Sequence, residues 1–321
     1  YDNISNNSGT SNNPKIQLDS TGNPFVIWED GTTGGYDIYF TKWNGSNWTK
    51  ADGATVGFDN LSNDAYSSLS PQFQLDSTNK PFVAWVNNTA GGNEIYFTKW
   101  NGSNWTKADG ATLGYDNISN NGGISEIPQL KIDSSGRPFV VWRDNLTGGT
   151  DTYFTKWSGS AWTKADGVTS GYDNISNNSG FSGDNQFKLD SSDNPNIVWQ
   201  DDTTGGGDIY FSKWSGAVWV KADGTAGYDN ISNTSGVLSR WPTIQLSSSG
   251  QPNIVWYDAA TGAGDIYFTK WSGSAWVKAD GVTSGYDNVS NTIVYSYSNG
   301  CYSYDDQFNL DSSNKPLIIL S

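Results

Sequence analysis

The sequence predicts an all-β fold, a β-propeller of four-stranded antiparallel blades, and three observations lead to this prediction. First, the motif Tyr-Asp-Asn-Ile-Ser, with single Phe, Leu and Val variants, recurs about every 57 residues. Second, each repeat contains four short segments with the composition of β-strands. Third, no segment shows the periodicity of an amphipathic helix. Four strands repeated at a fixed period are typical of propeller blades. The repeats begin at Tyr1, Phe58, Tyr115, Tyr172, Tyr228 and Tyr286.

The first repeat shows how each strand is predicted. Pro14 to Asp19 alternates apolar and polar residues, and Pro24 to Trp28 is apolar throughout, as in a strand buried on both faces. Asp37 to Trp43 is aromatic and β-branched, and the hairpin signal Asn44-Gly45 follows it. Trp48 to Lys50 is the predicted outer strand. A polar connection rich in Gly and Asn then leads into the next repeat.

The number of repeats predicts how many blades the propeller ring contains. Five repeats are complete, whereas the sixth contains only a first strand, Gln307 to Asp311, and a second, Pro316 to Leu320. We therefore predict one propeller domain over residues 1–321, six-bladed with an incomplete last blade. A five-bladed ring with two additional strands is the alternative. An incomplete blade exposes an unpaired strand edge, which predicts self-association or contact with a neighbouring domain.

The sixth repeat also departs from the others in its connection. A Tyr-rich segment surrounds the single cysteine, and we expect it to cap the incomplete blade or to meet another chain. Its residues are Tyr295, Tyr297, Cys301, Tyr302 and Tyr304.

Charge and composition exclude several classes of partner. The net charge is −15 and the pI about 4.2, which argues against binding to nucleic acid or to anionic membranes. No apolar run reaches 18 residues, so we expect no membrane insertion. A single Cys permits no disulfide within the chain. The high content of Asn, Ser, Thr, Gly and Trp predicts an extracellular or cell-surface protein.

Tryptophan occurs at three repeated positions in each complete repeat. The Trp28 set lies in the apolar second strand and is predicted to be core, and the Trp43 set is predicted to pack between blades. The third set, on the outer strand, has two interpretations: stacking on a sugar ring, or covering the blade edge. As ligand-binding candidates we name Trp48, Trp105, Trp162, Trp219 and Trp276.

Acidic residues bracket the loop between the second and third strands. They are predicted to bind sugar hydroxyls or a cation, or alternatively to fix the turn by bonding backbone N–H groups. The second repeat carries Asn87 and Glu94 at these positions. The acidic candidates are Asp30, Asp37, Asp144, Asp151, Asp201, Asp208, Asp258 and Asp265.

A second set of acids lies in the connection between repeats. Together with Asn and backbone carbonyls these residues predict a calcium loop, although their spacing differs from that of an EF-hand. Recent duplication, or hydrogen bonds that lock each blade to the next, would equally account for the repeated sequence. No other cofactor is predicted. The calcium candidates are Asp52, Asp59, Asp109, Asp116, Asp166, Asp173, Asp223 and Asp229.

The repeat LDSTGNPFVIWED…DIYFTKWNGSNW resembles the blades of secreted microbial propellers of the sialidase-like and fucose-lectin-like groups. The resemblance covers nearly the whole chain and implies the propeller fold and a site geometry, but no particular sugar. The chain has only three arginines, Arg137, Arg143 and Arg240, and no Asp box, whereas sialidases carry an Arg triad and Asp boxes. It repeats the Trp of the fucose lectins but not their Arg or Glu.

Catalysis is not predicted. His is absent, and the lone Cys301 has no His partner, so the usual general base and thiol chemistry are missing. The carboxylates are themselves repeated, whereas one catalytic centre needs different groups on different blades. The less favoured alternative is a glycoside hydrolase that uses two acids which break the repeat, among Glu29, Glu94 and Glu126.

We therefore predict a multivalent, extracellular, lectin-like propeller that binds a glycan or glycoconjugate. A structural or adhesive building block that assembles through its incomplete blade is the alternative. Residues that break the repeat mark where a unique partner would dock. In the third repeat these are Glu126, Lys131, Arg137 and Arg143, and in the fifth Arg240 and Trp241.

Overall fold

The computed structural model describes residues 1–32, 34–234, 236–259, 264–290 and 308–318, and all regular structure in these ranges is β. The chain divides into two compact units. One comprises Tyr1–Leu146 with Phe154–Asp173, and the other comprises Thr147–Tyr153 with Asn174–Ser321. Among the described residues there is no helix that could span a membrane.

Five blades share one topology. Four antiparallel strands follow one another in chain order, and a two-residue strand from the connection pairs with the third. The first blade contains β1 (Ser11–Leu18), β2 (Pro24–Asp30), β3 (Asp37–Trp43), β4 (Trp48–Thr49) and β5 (Asp59–Asn60). The second contains β6 (Ser67–Leu75), β7 (Pro81–Thr89), β8 (Gly92–Trp100), β9 (Trp105–Thr106) and β10 (Asp116–Asn117). The third contains β11 (Ser125–Ile132), β12 (Pro138–Asp144), β13 (Asp151–Trp157), β14 (Trp162–Thr163) and β15 (Asp173–Asn174).

The remaining strands repeat this pattern. The fourth blade contains β16 (Ser182–Leu189), β17 (Pro195–Asp201), β18 (Asp208–Trp214), β19 (Trp219–Val220) and β20 (Asp229–Asn230). The fifth contains β21 (Ser239–Leu246), β22 (Pro252–Asp258), β23 (Asp265–Trp271), β24 (Trp276–Val277) and β25 (Asp287–Asn288). The sixth sheet contains β26 (Phe308–Leu310) and β27 (Pro316–Ile318).

The core of each blade is the apolar second strand. Trp28 is buried in β2, and its ring stacks on Tyr39 of β3 with centroids 5.7 Å apart. Phe58, the aromatic residue that opens the next repeat, packs edge-on against Trp28 at 5.8 Å. The first residue of the repeated motif is therefore aromatic because it completes the core of the preceding blade. Tyr115 packs against Trp85 in the same way, at 5.6 Å.

A β-bulge interrupts the first strand of every complete blade at an equivalent position. The bulged residue is never glycine, yet its φ lies in the left-handed region. In four of the five blades a proline follows it, which disfavours helical φ and ψ still further. The bulged residues are Asn13 (φ 47), Ser70 (φ 54), Ile127 (φ 52), Asp184 (φ 50) and Trp241 (φ 54).

The predicted fold class is confirmed: the chain is all-β, with five repeated four-stranded blades and an incomplete sixth, the pattern of a six-bladed propeller. Strand ends differ from the prediction in detail, since β1 begins at Ser11 and β2 continues to Asp30. The short strand from the connection was not predicted, because its two residues carry no strand signal. The prediction of a single domain over residues 1–321 stays a prediction.

Some predictions fall outside the described part of the chain. These concern the Tyr-rich segment and the outermost residues of the two strands of the sixth repeat. The residues are Tyr295, Tyr297, Cys301, Tyr302, Tyr304, Gln307 and Leu320.

Candidate functional site

The acids that bracket the loop between the second and third strands of each blade are buried. Within a blade they lie opposite each other, at the end of the β2–β3 hairpin and its equivalents. The registers pair Asp30 with Asp37, Asn87 with Glu94, Asp201 with Asp208, and Asp258 with Asp265. The buried acids are Asp30, Asp37, Glu94, Asp144, Asp151, Asp201, Asp208, Asp258 and Asp265.

Asp30 shows what the first acid of each pair contacts. Its Oδ2 accepts hydrogen bonds from Nδ2 of Asn7 (2.7 Å), Oγ of Ser11 (2.8 Å) and Nε1 of the core Trp28 (3.0 Å). Its Oδ1 accepts from the backbone N–H of Thr32 at 3.1 Å. Burial opposes ionisation of this carboxyl, but the hydrogen bonds outweigh burial and lower the pKa of Asp30.

The second acid is bonded to the repeated connection. In the second compact unit, Oδ1 of Asp151 accepts from Oγ of Ser176 (2.8 Å) and from the backbone N–H of Asn178 (3.0 Å). Its Oδ2 accepts from Nδ2 of Asn174 at 2.7 Å. The Asn and Ser of the repeated motif are therefore ligands of this carboxylate. This role gives a structural reason for the repeated Asn and Ser of the motif.

In the connections that follow the second and third blades, one asparagine joins two blades. The backbone N–H of Asn178 donates to Asp151 of one blade, while its Nδ2 donates to Oδ2 of Asp201 in the next, at 2.5 Å. Asn121 does the same in the first compact unit: its N–H donates to Glu94 (3.1 Å) and its Nδ2 to Asp144 (2.8 Å). We call this arrangement of a connection side chain and the first acid of the next blade the latch.

The latch between the first and second blades has the reverse polarity. Here the connection supplies a carboxylate, Asp64, and the strand supplies an amide, Asn87, whose Nδ2 donates to Oδ2 of Asp64 at 2.5 Å. An amide nitrogen cannot accept the bonds that Oδ2 of Asp30 accepts. Consistent with this, Ser68 Oγ and Trp85 Nε1 are buried without a hydrogen-bond partner, whereas their equivalents Ser11 and Trp28 are bonded.

These contacts account for the repeated loop acids as elements that hold blades together. Their oxygens are occupied by protein donors. Binding of a sugar or a cation by these acids stays a prediction, and such a ligand must displace hydrogen bonds that join two blades. The pKa of Glu94 shifts in the opposite direction from that of Asp30. Burial raises the pKa of the Glu94 carboxyl despite hydrogen bonds from Ser119 and Asn121.

The acids of the connection loop form turns. Asp52 is exposed, its Oδ1 accepts from the backbone N–H of Ala54 and of Thr55 (both 2.8 Å), and its Oδ2 accepts from Oγ1 of Thr55 (2.6 Å). The side-chain bond from Thr55 and the two backbone bonds lower the pKa of Asp52 to about 2. Oδ2 of Asp59 accepts from the backbone N–H of Ala51 at 2.8 Å.

The same bonds recur in the other connections, for example from Ala108 to Asp116, from Thr112 to Asp109 and from Ala222 to Asp229. Within the described ranges, no group of three or more His, Cys, Asp or Glu side chains converges as a metal site. Calcium binding at these positions stays a prediction.

The outer tryptophans are half-buried and pack across blades. In the first compact unit, Trp105 lies edge-on against Phe40 of the preceding blade at 5.3 Å, and Trp162 against Phe97 at 5.2 Å. The indole N–H of Trp105 is buried and has no acceptor in the described part of the chain. Trp48 instead donates to Oδ2 of Asp2 at 3.1 Å. Each outer tryptophan follows directly after a turn such as Asn44–Asn47, which is closed by a hydrogen bond from the Asn44 N–H to the Asn47 carbonyl.

The repeats diverge most sharply around the bulge of the first strand. Three residues cluster there: the bulged residue, the residue before it, and the cross-strand partner of that preceding residue. We call these the bulge trio. Constant residues flank each trio, namely a Ser at 11, 68, 125, 182 and 239 and a Trp at 28, 85, 142, 199 and 256. The trios are Asn12–Asn13–Glu29, Leu69–Ser70–Val86, Glu126–Ile127–Arg143, Gly183–Asp184–Gln200 and Arg240–Trp241–Tyr257.

The trio of the fifth blade contains a stacked guanidinium. Arg240 and Trp241 are consecutive residues, which on a regular strand point to opposite faces. The bulge changes this, and the Arg240 guanidinium carbon lies 3.8 Å from the centroid of the Trp241 ring and 4.9 Å from that of Tyr257. The ring of Tyr257 in turn lies against Gly264. A Cβ on Gly264 would come within 2.1 Å of Tyr257 Oη, so the ring needs glycine there.

In the first compact unit, the charged residues of two trios are bonded to other protein residues. Glu126 forms an ion pair with Arg143 at 2.7 Å and accepts a hydrogen bond from Nδ2 of Asn93 at 3.1 Å. Glu29 is buried, accepts from Nδ2 of Asn13 at 2.9 Å and also bonds the backbone N–H of Ser70. The sequence already indicated Glu126, Arg143, Arg240 and Trp241 by their asymmetry, but nothing in it placed Tyr257 beside them.

No protein-family model and no curated protein matches the chain. Several solved structures are similar in fold. One is a protein of unknown function from Dyadobacter fermentans, with 9% identity, a TM-score of 0.46, and coverage of 84% of this chain and 80% of that one. Another is an ulvan lyase, a polysaccharide lyase, with 10% identity, a TM-score of 0.48 and coverage of 83% and 80%. A third is the NanB sialidase from Streptococcus pneumoniae, with 11% identity, a TM-score of 0.44 and coverage of 84% and 59%.

The resemblance to sialidase-like propellers that the blade sequence implied is confirmed as a resemblance of fold. The prediction that the protein is not an enzyme is wrong by the same comparison, because the ulvan lyase and the NanB sialidase are both enzymes. Their activities are properties of those proteins. For this chain, catalysis is therefore an outcome to be measured.

Proposed function

We propose that this protein is an extracellular carbohydrate-binding propeller whose principal contact with its ligand is the bulge trio of the fifth blade. The observation that carries the proposal is the stacked group Arg240–Trp241–Tyr257, which is half-buried on a bulged strand. Half-exposed aromatic rings beside a hydrogen-bond donor are the usual components of a sugar site. Bulges are found beside binding sites because they re-aim side chains.

The contrast between repeated and divergent positions supports this location. The repeated acids are buried and bonded to neighbouring blades, so they serve the architecture. The trios differ in every blade and are not required by the repeat. The left-handed φ at the bulge is common to all five complete blades, whereas a bulky aromatic residue in this conformation occurs only in the fifth.

The five outer tryptophans are a second candidate surface for the same function. Each remains partly exposed beside a polar turn, and five equivalent weak contacts on one chain would bind a polysaccharide through avidity. The two surfaces differ in stoichiometry. The trio provides one site per chain, whereas the outer tryptophans provide about five.

The test is binding of the purified chain to an array of neutral and acidic glycans, with and without a calcium chelator, followed by calorimetry on the best ligand. We expect one site per chain, weakened by Trp241→Ala and unaffected by Trp48→Ala. About five sites that are reduced by Trp48→Ala would move the function to the outer tryptophans. Absence of binding to every glycan would overturn the proposal. New reducing ends in the same incubations would identify an enzyme.

A further inference from the structure

Arg240 stands out among the arginines of this chain by what it does not contact. Arg137 pairs with Asp133 and Arg143 with Glu126, each at 2.7 Å. Arg240 has no such ion pair in the part of the chain that the structure describes, and its Nε is buried without an acceptor there. The chain has 33 acidic and 18 basic residues, so a carboxylate partner would have been easy to supply.

Aromatic rings hold the Arg240 guanidinium where a carboxylate could have done so. Contact with the Trp241 and Tyr257 rings restrains the guanidinium but adds no opposite charge, since a ring carries no net charge, and within the described residues no carboxylate pairs with it. A planar guanidinium presents paired N–H donors that match the geometry of a carboxylate or a sulfate. Because less side-chain freedom is lost on binding, a pre-oriented arginine is an effective anion ligand.

The overall charge of the protein makes such a site selective. A chain with net charge −15 repels anions in general, so diffuse attraction of a polyanion is not expected. An anion that binds must therefore be recognised locally. The two aromatic rings beside the guanidinium, whose centroids are 5.4 Å apart, favour an anionic group carried on a ring or another apolar framework.

We propose that the fifth-blade trio binds the anionic group of an acidic saccharide, a carboxylate or a sulfate ester, with Arg240 as the residue that contacts the anion. Trp241 and Tyr257 position the guanidinium, and their exposed edges meet the C–H faces of the sugar. This inference rests on the proposed carbohydrate-binding function and specifies the class of ligand at the same site.

The experiment is calorimetry of the full chain with two pairs of saccharides that differ only in charge. Oligogalacturonate is compared with its methyl ester, and sulfated dextran oligosaccharides with unmodified dextran oligosaccharides. We expect the charged member of at least one pair to bind at least tenfold more tightly, and the pair that responds identifies carboxylate or sulfate as the anion. Equal binding of charged and neutral members would overturn the inference.

Three variants localise the effect. Arg240→Gln is expected to weaken binding of the charged saccharide at least tenfold. Arg240→Lys should weaken it less, because it keeps the charge but loses the paired donors. Arg137→Gln makes the same charge change at a half-exposed site with its own carboxylate partner, and it should leave affinity within twofold. Thermal unfolding confirms that each variant is folded.

The outcomes separate this inference from the proposed function. Neutral glycans that bind equally well to the unaltered chain and to Arg240→Gln would retain the proposed function and overturn the acidic ligand. No binding to any saccharide would overturn both. If Arg240→Gln instead dissolved an oligomer seen by sedimentation while leaving saccharide affinity unchanged, the partner of Arg240 would be an acidic segment of a second copy, and the inference would be wrong.

Discussion

The side-chain amide of Asn87 donates a hydrogen bond to the carboxylate of Asp64. Asn7 and Asp30 also form an amide–carboxylate pair, but there the carboxylate lies on the strand and the amide precedes it in the connecting segment. In the Asp64–Asn87 pair the two groups are exchanged. The exchange keeps the interblade hydrogen bond. It also removes the acceptor that Ser68 and Trp85 require. Each of the four pairs formed by Asn7, Asp64, Asn121 and Asn178 contains one carboxylate and one amide, and in three of them the carboxylate lies on the strand.

Restoring the usual polarity should stabilise the chain. In the double variant D64N/N87D the strand carboxylate can accept from the connection amide, Ser68 and Trp85, so two buried donors gain a partner. Because an unsatisfied buried donor costs about 1–3 kcal/mol, we expect the free energy of unfolding to rise by about 1–3 kcal/mol in urea titrations.

The single variants are the controls for that exchange. N87D alone places two carboxylates at hydrogen-bond distance and should lower the free energy of unfolding by about 2 kcal/mol or more. D64N alone replaces a charge-assisted bond by a contact between two amides and should lower it by about 1 kcal/mol. A double variant no more stable than either single one would show that the two positions are not coupled.

Removing a latch residue should cost more than removing an exposed asparagine. Asn121→Ala deletes the donor to Asp144 and the acceptor of the Gly123 N–H, leaving a buried carboxylate with one partner fewer. We expect a loss of about 2 kcal/mol in the free energy of unfolding. Asn104→Ala, at an exposed turn position, should change it by less than about 0.5 kcal/mol. Equal effects would contradict the role assigned to the latch.

Relief of strain at a bulge can be measured at Ile127. A β-branched residue at φ 52 is strained, and Asn, which occupies the equivalent position 13, tolerates that conformation. We expect Ile127→Asn to raise the melting temperature, by an amount equivalent to about 1 kcal/mol. Ile124→Asn makes the same chemical change at an exposed neighbour and should have little effect. A lower melting temperature for Ile127→Asn would mean that packing of Ile127 outweighs its strain.

Acid should destabilise the protein in a defined window. The pKa values of Asp30 and Asp208 lie below their ordinary value of 3.8, because hydrogen bonds outweigh the opposing effect of burial. The unfolded chain therefore binds more protons, and the stability that these groups provide is complete above pH 3.8 and is lost as pH falls through the folded pKa values. Urea titrations between pH 2 and 7 should show this loss, and a flat profile below pH 4 would contradict it.

Glu94 should act in the opposite direction. Burial raises its pKa above the ordinary 4.5, so ionisation of Glu94 lowers stability as pH rises through that raised value. Glu94→Gln cannot titrate. The difference in unfolding free energy between Glu94→Gln and the unaltered chain should therefore shift in favour of the variant as pH rises above 4.5. A difference independent of pH would show that Glu94 has an ordinary pKa.

Calcium binding by the connection loops is tested by thermal unfolding in calcium and in chelator. A bound cation would raise the melting temperature by mass action, and Asp52→Asn together with Asp109→Asn would reduce that rise. The ion must compete with three hydrogen bonds that Asp52 already accepts. Identical melting curves in calcium and in chelator would exclude the site.

The sequence by itself determined the fold class, the period of the blades and the core, while it left six-bladed and five-bladed closure open. A period of about 57 residues repeats strand patterns whose apolar residues must be buried, and burial of Trp28 and its equivalents follows from an apolar strand wherever the blade is placed. It also indicated Arg240 and Trp241, because a residue that breaks an otherwise uniform repeat is visible without coordinates.

Only the tertiary structure decided what the repeated polar residues do. Asp30 and Asn7 are separated by a complete hairpin, and the partner of Asn121 lies in the next blade, so no local pattern shows that these side chains bond each other. The left-handed φ of Trp241 was equally hidden, since a residue before proline is expected to be extended. The bulged strand pairs Arg240 with Tyr257 of the neighbouring strand, and this pairing brings the Trp241 and Tyr257 rings beside the Arg240 guanidinium.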